Sequence, residues 1–219
     1  MDAPRGLTRQ HLDALRDAGR PARYEKGQAL CRQGDHSDSL VILTSGWVKV
    51  VAGSPEGGEV VLAVRGPDEL VGDLAAVEGR ESARSASVIA LDVVRCHVLW
   101  GADFRAFLVS HGDTALALLQ TIARRLRDAD RRRIEYGTYD TTHRLALMLV
   151  ELTAAHGRPC DDGIELTLSL TQDELAGLVA ASRESVARAL GGLRRLGLVS
   201  TSRRGVVVHD LEALTAFAG

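Results

Sequence analysis

Two short stretches of this 219-residue chain carry residue types at spacings that could do chemistry, and the first runs from Thr171 to Arg188. Thr171 and Glu174 stand three apart, the spacing of a capping box, in which each side chain satisfies the other residue's free backbone N–H at a helix start. Leu175, Leu178 and Val179 give that helix one apolar stripe. After a short break, Ser182 is placed to cap a second helix, with Arg183 and Glu184 in its first turn and Arg188 one turn on. Val186, Ala189, Leu190 and Leu193 form the buried face of this second helix. Arg can pair bidentately with guanine O6 and N7, and Glu can accept from cytosine N4, so such a helix suits the major groove of DNA. Two amphipathic helices with a solvated charged face fit the same pattern. The next residues favour the DNA reading. Residues 198–201 and 206–209 read as short strands joined by Ser202-Arg203-Arg204-Gly205, a wing. Between residues 183 and 204 stand six arginines against one acid, Glu184, so positive charge gathers where phosphates would lie.

The second stretch spans residues 70–86. Gly72 permits close backbone approach, and a short helical turn after it would aim free N–H groups at an anion. Arg84 brings a permanently charged planar fork and Ser85 a hydroxyl donor, together suited to a singly charged phosphodiester. Asp73 could accept from a sugar hydroxyl. The plain alternative for Arg84 is a salt-bridged or solvated residue.

The elements that would position these residues follow from periodicity. A short helix is expected at about 8–18. From 23 to 100, apolar runs separated by glycines, among them one at 88–99, point to a compact antiparallel barrel or roll. From about Gly112 the pattern becomes helical, with Ala115, Leu119, Ile122, Leu126 and Ala129 at coiled-coil steps and Arg133 and Tyr136 continuing them. A break is expected at Gly137, then a second helix at about 141–155. The fold class is thus α+β: a β-roll sensor domain over 1–111, a dimerisation helix over 112–137, and a winged helix-turn-helix DNA-binding domain over 138–219.

Composition narrows the function. A formal net charge of -2 suits a local basic stripe on a near-neutral body better than a protein that coats nucleic acid. Cys31, Cys96 and Cys160 are scattered and odd in number, which suggests a reducing cytoplasm and no disulfide frame. No apolar run approaches the roughly 18 residues of a membrane span, and no membrane partner is expected. The histidines (His11, His36, His97, His111, His143, His156 and His209) are dispersed, with no HExxH, no CxxC pair and no nucleophile elbow, so neither an enzyme nor a metal site is expected.

In order and spacing, these motifs resemble the cyclic-AMP receptor protein/FNR family of bacterial transcription regulators over nearly the whole chain. Gly72-Asp73-Leu74 with Arg84-Ser85-Ala86 resembles the family's cyclic-nucleotide phosphate cassette. Ala123-Arg124-Arg125-Leu126 falls on the dimer helix, and residues 182–188 are similar to the recognition helix. The resemblance implies that Arg84 and Ser85 hold a cyclic phosphate and that Asp73 meets the ribose hydroxyl. It implies too that Arg183, Glu184 and Arg188 read a TGTGA-like half-site of an inverted repeat, that the protein is a homodimer, and that RNA polymerase is a partner. Three departures stand out. Asp73 replaces the usual Glu and is one methylene shorter. Ala129-Asp130 replaces a Thr-Ser pair that meets adenine in cyclic-AMP-type members; cyclic AMP is the expected effector by its frequency in the family, and cyclic GMP is an alternative because Asp130 would suit guanine's N1–H and N2–H₂. Asp130 could instead pair with the arginines at 131–133. Ala180 stands where the turn between the two DNA-domain helices often has glycine. Rival expectations on the same fold are a ligand-independent regulator, a haem or redox sensor using Cys31, His36 or His97, and a nucleotide-binding module serving a protein partner.

Overall fold

A computed structural model describes residues 6–53, 59–166, 168, 170–201 and 205–219. The chain divides into two compact units, residues 1–130 and 131–219.

The first unit opens with helix α1 (Arg9–Ala18), whose N-cap Thr8 shares a capping box with His11. Strands β1 (Arg20–Tyr24), β2 (Ala29–Cys31), β3 (Leu40–Ser45), β4 (Val48–Gly53), β5 (Glu59–Arg65) and β6 (Leu70–Val71) follow. A short helix α2 (Asp73–Glu78), strands β7 (Ser87–Ala90) and β8 (Val94–Leu99), and helices α3 (Gly101–Ser110) and α4 (Gly112–Thr138) complete it, α4 running on into the second unit. The strands form two antiparallel sheets, ordered β1-β8-β3-β6 and β2-β7-β4-β5. Period-two alternation explains how β3 is buried on both faces. Val41 and Leu43 join Val48, Val88, Val94 and Cys96 in one core cluster, which draws on both sheets. Leu40 and Ile42 face the other way and pack with Leu12, Leu15, Phe104 and Leu118 of the helices. The β-roll expected from the glycine-punctuated runs is therefore present.

Several elements differ from the sequence reading. The apolar run at 88–99 is two strands, β7 and β8, in different sheets, because the chain turns at residues 91–93. Helix begins at Gly101 rather than near Gly112: Phe104 is fully buried and anchors α3, whose mixed composition hides its period. Gly137 does not break the dimer helix but lies inside α4, which ends at Thr138. The stop is set by Asp140, whose carboxylate accepts from the N–H groups of Thr142 (2.8 Å) and His143 (3.0 Å) and starts α5 (Thr141–His156).

The second unit continues with β9 (Arg158–Cys160), β10 (Gly163–Leu166), α6 (Gln172–Leu178), α7 (Arg183–Arg195), β11 (Val199–Thr201), β12 (Val206–Val208) and α8 (Leu211–Ala218). The wing strands β11 and β12 are half of a four-stranded sheet, ordered β11-β12-β10-β9. The strands β9 and β10 and helix α8 were not read from sequence. Each is short, and β9 carries Pro159 in an exposed edge strand, so no apolar alternation betrays it.

Candidate functional site

The helix pair of the second unit is built by local chemistry. Thr171 Oγ1 accepts from Glu174 N at 3.2 Å, and Glu174 Oε2 accepts from Thr171 N at 2.9 Å, the reciprocal box expected from spacing. The Thr171 side chain is thus spent on starting α6. Ser182 Oγ accepts from Ser185 N at 3.2 Å and starts α7. Between the helices, Ala180 is held at φ 48°, the left-handed turn suspected from its position. Val186, Ala189, Leu190 and Leu193 are buried, which leaves Arg183, Glu184 and Arg188 exposed on the opposite face. Arg188 Nη2 donates to Ser185 Oγ at 3.0 Å, which steadies its guanidinium. The Glu184 carboxyl is held below its usual range by its own backbone N–H and then by the Ser182 hydroxyl, so it is an anion at neutral pH. Arg194 and Arg195 are also exposed at the end of α7. Arg203 and Arg204, expected in the wing turn, lie outside the described residues.

In the first unit, Gly72 adopts φ 79° and leads into α2. The left-handed turn and the space both demand glycine: a Cβ there would lie 2.5 Å from Arg84 Nη1 and 2.8 Å from the Ser39 carbonyl. The Arg84 side chain reaches back toward this turn. Its Nη1 donates to Gly72 O (3.2 Å), its Nη2 to Ser39 O (2.7 Å) and Ser39 Oγ (3.0 Å), and its Nε to Ser37 Oγ (3.0 Å). Four of the five N–H bonds of a guanidinium are thereby used. Arg84 is only 4% exposed, and among the described residues no carboxylate pairs with it. Its acceptors are neutral, so this is a buried cation without a counter-charge.

Asp73 is buried at the start of α2, and its Oδ2 accepts from Arg125 Nη1 on α4 at 2.7 Å. Arg125 Nη2 also donates to Leu70 O at 2.8 Å. Gly72, Asp73 and Arg84 are therefore brought together, while Ser85 is exposed and Leu74 is half exposed. Ala129 and Asp130 lie exposed on α4. In the second unit, Arg131 bonds Glu135 (3.3 Å) and Glu151, and Arg132 bonds Glu151 at 3.2 Å. Three residues were missed from sequence. Arg125 was noted only as part of the dimer-helix motif, and Ser37 and Ser39 carry no local signal. A buried guanidinium with neutral acceptors and a left-handed glycine beside it fits a phosphate group chemically.

The apolar side chains of α4 differ in exposure. Leu116, Leu119 and Leu126 are 57%, 62% and 64% exposed, whereas Ile122 packs against the unit's own core. Leu116, Leu119 and Leu126 thus stand exposed on α4, while Ala115, Ile122 and Ala123 are half-buried.

Cys31, His36 and His97, named for haem or redox chemistry, each meet a backbone carbonyl. Burial pushes the Cys96 thiol up to about 11 and raises that of Cys31. The ring nitrogen Nδ1 of His97 lies 2.8 Å from Arg16 O, and that of His36 lies 3.3 Å from Arg80 O. Among the described residues, no helix is long and apolar enough to cross a membrane.

Comparison with known proteins accords with this geometry. Residues 21–111 match the family model described as a cyclic nucleotide-binding domain, and residues 143–217 match the Crp-like helix-turn-helix domain. A CRP-like cAMP-activated global transcriptional regulator of Mycobacterium tuberculosis is 28% identical over 95% of this chain and 92% of its own length. The cyclic AMP receptor protein of Thermus thermophilus is 29% identical over 97% and 94%. The crystal structure of TTHB099, a CRP-family transcriptional regulator from the same organism, superposes with a TM-score of 0.74 at 27% identity, covering 90% of this chain and 96% of that one. These relatives are regulators, not enzymes. With a β-roll, a long helix and a winged helix-turn-helix matched in order, the chain belongs to the cyclic-AMP receptor protein/FNR family of transcription regulators.

Proposed function

We propose that this regulator acts in the cytoplasm as a homodimer that reads a TGTGA-like inverted repeat, under control of a cyclic purine nucleotide taken up in the β-roll. The observation that carries the effector reading is Arg84, a buried guanidinium with no carboxylate partner among the described residues. An unbalanced buried charge costs several kcal/mol, and an anionic ligand is the natural counter-charge. Arg84 and the Ser85 hydroxyl would hold the phosphate, and the turn at Gly72 would let the backbone approach it. Leu74 would flank the group. When bound, a cyclic nucleotide supplies one negative charge and a purine edge. Asp73 accepts from Arg125, and its second oxygen would meet the sugar hydroxyl. Ala129 offers no polar contact to a base, whereas exposed Asp130 would accept from an exocyclic amine. Cyclic AMP is favoured by the names of the relatives. Cyclic GMP is the alternative, since the Asp130 carboxylate suits guanine's N1–H and N2–H₂.

The exposed Leu116, Leu119 and Leu126, with half-buried Ala123 between them, would pair with those of a second copy, as in other coiled coils. Arg183, Glu184 and Arg188 would contact bases, Thr171 and Ser182 would hold the helix ends beside the phosphates, and Arg203 and Arg204 would bind backbone. The two half-sites must lie about 34 Å apart, one DNA turn. RNA polymerase is proposed as the further partner.

Calorimetry on nucleotide-stripped protein with cyclic AMP and with cyclic GMP tests the effector, and heat lost in Arg84→Ala supports the role given to Arg84. Fluorescence anisotropy on a TGTGA palindrome, with and without nucleotide, tests the coupling. A second reading, a ligand-independent regulator, is favoured by the four protein bonds that Arg84 already makes. Tight DNA binding indifferent to both nucleotides would support it.

A further inference from the structure

Resting on the reading that Arg84 receives the effector's anion, we infer that Ser37 and Ser39 are affinity-setting residues that hold Arg84 in a latch the anion must open. The loop between β2 and β3 places Ser37 and Ser39 on either side of Asp38. Both hydroxyls turn to Arg84, Ser37 Oγ at 3.0 Å from Nε and Ser39 Oγ at 3.0 Å from Nη2. Two carbonyls, Ser39 O at 2.7 Å and Gly72 O at 3.2 Å, complete the seat. Two nearby carboxylates are committed to other arginines, and that of Asp35 accepts from the Arg32 backbone N–H at 3.0 Å. Asp38 faces Arg80 and Arg105, each at 3.4 Å, and Asp73 faces Arg125 at 2.7 Å.

The seat therefore satisfies the geometry of Arg84 but not its charge. Neutral acceptors leave the charge of the fork unbalanced, whereas an anion adds charge–charge attraction to its hydrogen bonds, and that attraction is strong at a buried site. At 4% exposure, the guanidinium offers an incoming phosphate little surface until part of the seat gives way. The carbonyls belong to the backbone of β3's approach and of the Gly72 turn, and neither can leave without moving its element. The hydroxyls can leave by a rotation about one bond. The latch is thus set by Ser37 and Ser39, and its strength subtracts from effector affinity.

The test uses full-length protein and the variants Ser37→Ala, Ser39→Ala and the double variant, each checked for folding by circular dichroism and thermal melting. Arg84 reactivity toward phenylglyoxal, followed by peptide mass mapping, reads the latch without any ligand. Labelling of Arg84 should accelerate in each single variant and most in the double variant. Calorimetry with cyclic AMP and cyclic GMP should show affinity rising about tenfold in the double variant, the worth of roughly one net hydrogen bond. Unchanged Arg84 labelling, or nucleotide affinity that falls on removing the hydroxyls, would overturn the latch. The fall would mean that the serines orient Arg84 for the anion rather than restrain it. Loss of nucleotide binding in Arg84→Ala speaks to the underlying reading alone. Should wild type bind neither nucleotide, that reading fails and the affinity-setting role falls with it, and faster labelling in the serine variants would show only that the hydroxyls shield Arg84.

Discussion

The carboxylate of Asp73 and the guanidinium of Arg125 meet at 2.7 Å, tying the first residue of α2 to the middle of α4. The carboxylate is nearly buried and the guanidinium about three-quarters so. Removing one partner strands the other, so Asp73→Asn and Arg125→Ala should each destabilise the protein. A double-mutant cycle by chemical denaturation should return a coupling of about 1–2 kcal/mol. Strict additivity would show the pair to be energetically idle. Because this pair joins the phosphate turn to the helix that carries the apolar stripe, Arg125→Ala should also alter nucleotide affinity.

The exposed leucines of α4 predict assembly. Leu119→Glu and Leu126→Glu should leave the monomer's fold intact, since both side chains are mostly exposed, yet shift sedimentation from dimer to monomer. DNA affinity should drop with it. Ile122→Ala should behave oppositely, lowering stability through lost packing against the first unit's core by about 1–2 kcal/mol while leaving an assembled species.

Readout by α7 divides by residue. Arg188→Ala should cost about 1–3 kcal/mol and relax preference at one base position, measured by anisotropy across a set of single-base variants. Arg203→Ala and Arg204→Ala should weaken all sequences alike and flatten the salt dependence. A uniform loss for Arg188→Ala would count against its base-reading role.

Ala180 occupies a left-handed conformation at φ 48°. Glycine takes that conformation without the Cβ penalty, so Ala180→Gly should raise stability by up to about 1 kcal/mol in thermal melts.

Asp140 caps α5, and its carboxyl is held below the usual range, chiefly by the His143 backbone N–H and then by the His143 side chain. Because the folded value is the lowered one, the contribution to stability is present above the ordinary carboxylate pKa. It is lost as pH falls through the folded value. The group is exposed, so the effect is small. Asp140→Asn should flatten the acid limb of a stability-versus-pH curve and leave the neutral region nearly unchanged.

Local rules made part of this molecule legible. The capping box of Thr171 and Glu174, the Ser182 cap and the left-handed turn at Ala180 all depend on partners within four residues, and each stands where spacing placed it. The roll was legible because alternation writes a sheet's two faces into β3 residue by residue. Helix α3 was not, because Phe104 is its one fully buried large side chain and a single anchor has no period. The exposed apolar face of α4 was half legible: Leu119 and Leu126 are exposed on it, but a heptad pattern cannot tell which neighbouring residue the protein's own core will claim, and it claimed Ile122.

By itself, then, the sequence determined the order of roll, long helix and helix-turn-helix, the family, and which residue types gather at each end of the chain. Only the tertiary structure decided what Arg84 and Asp73 touch. The Arg84 bond to Ser39 spans 45 residues and the Asp73 bond to Arg125 spans 52, and both exist because the strands and α4 bring those positions together. A side chain's nearest acceptor across such a distance is set by packing, which no spacing along the chain encodes.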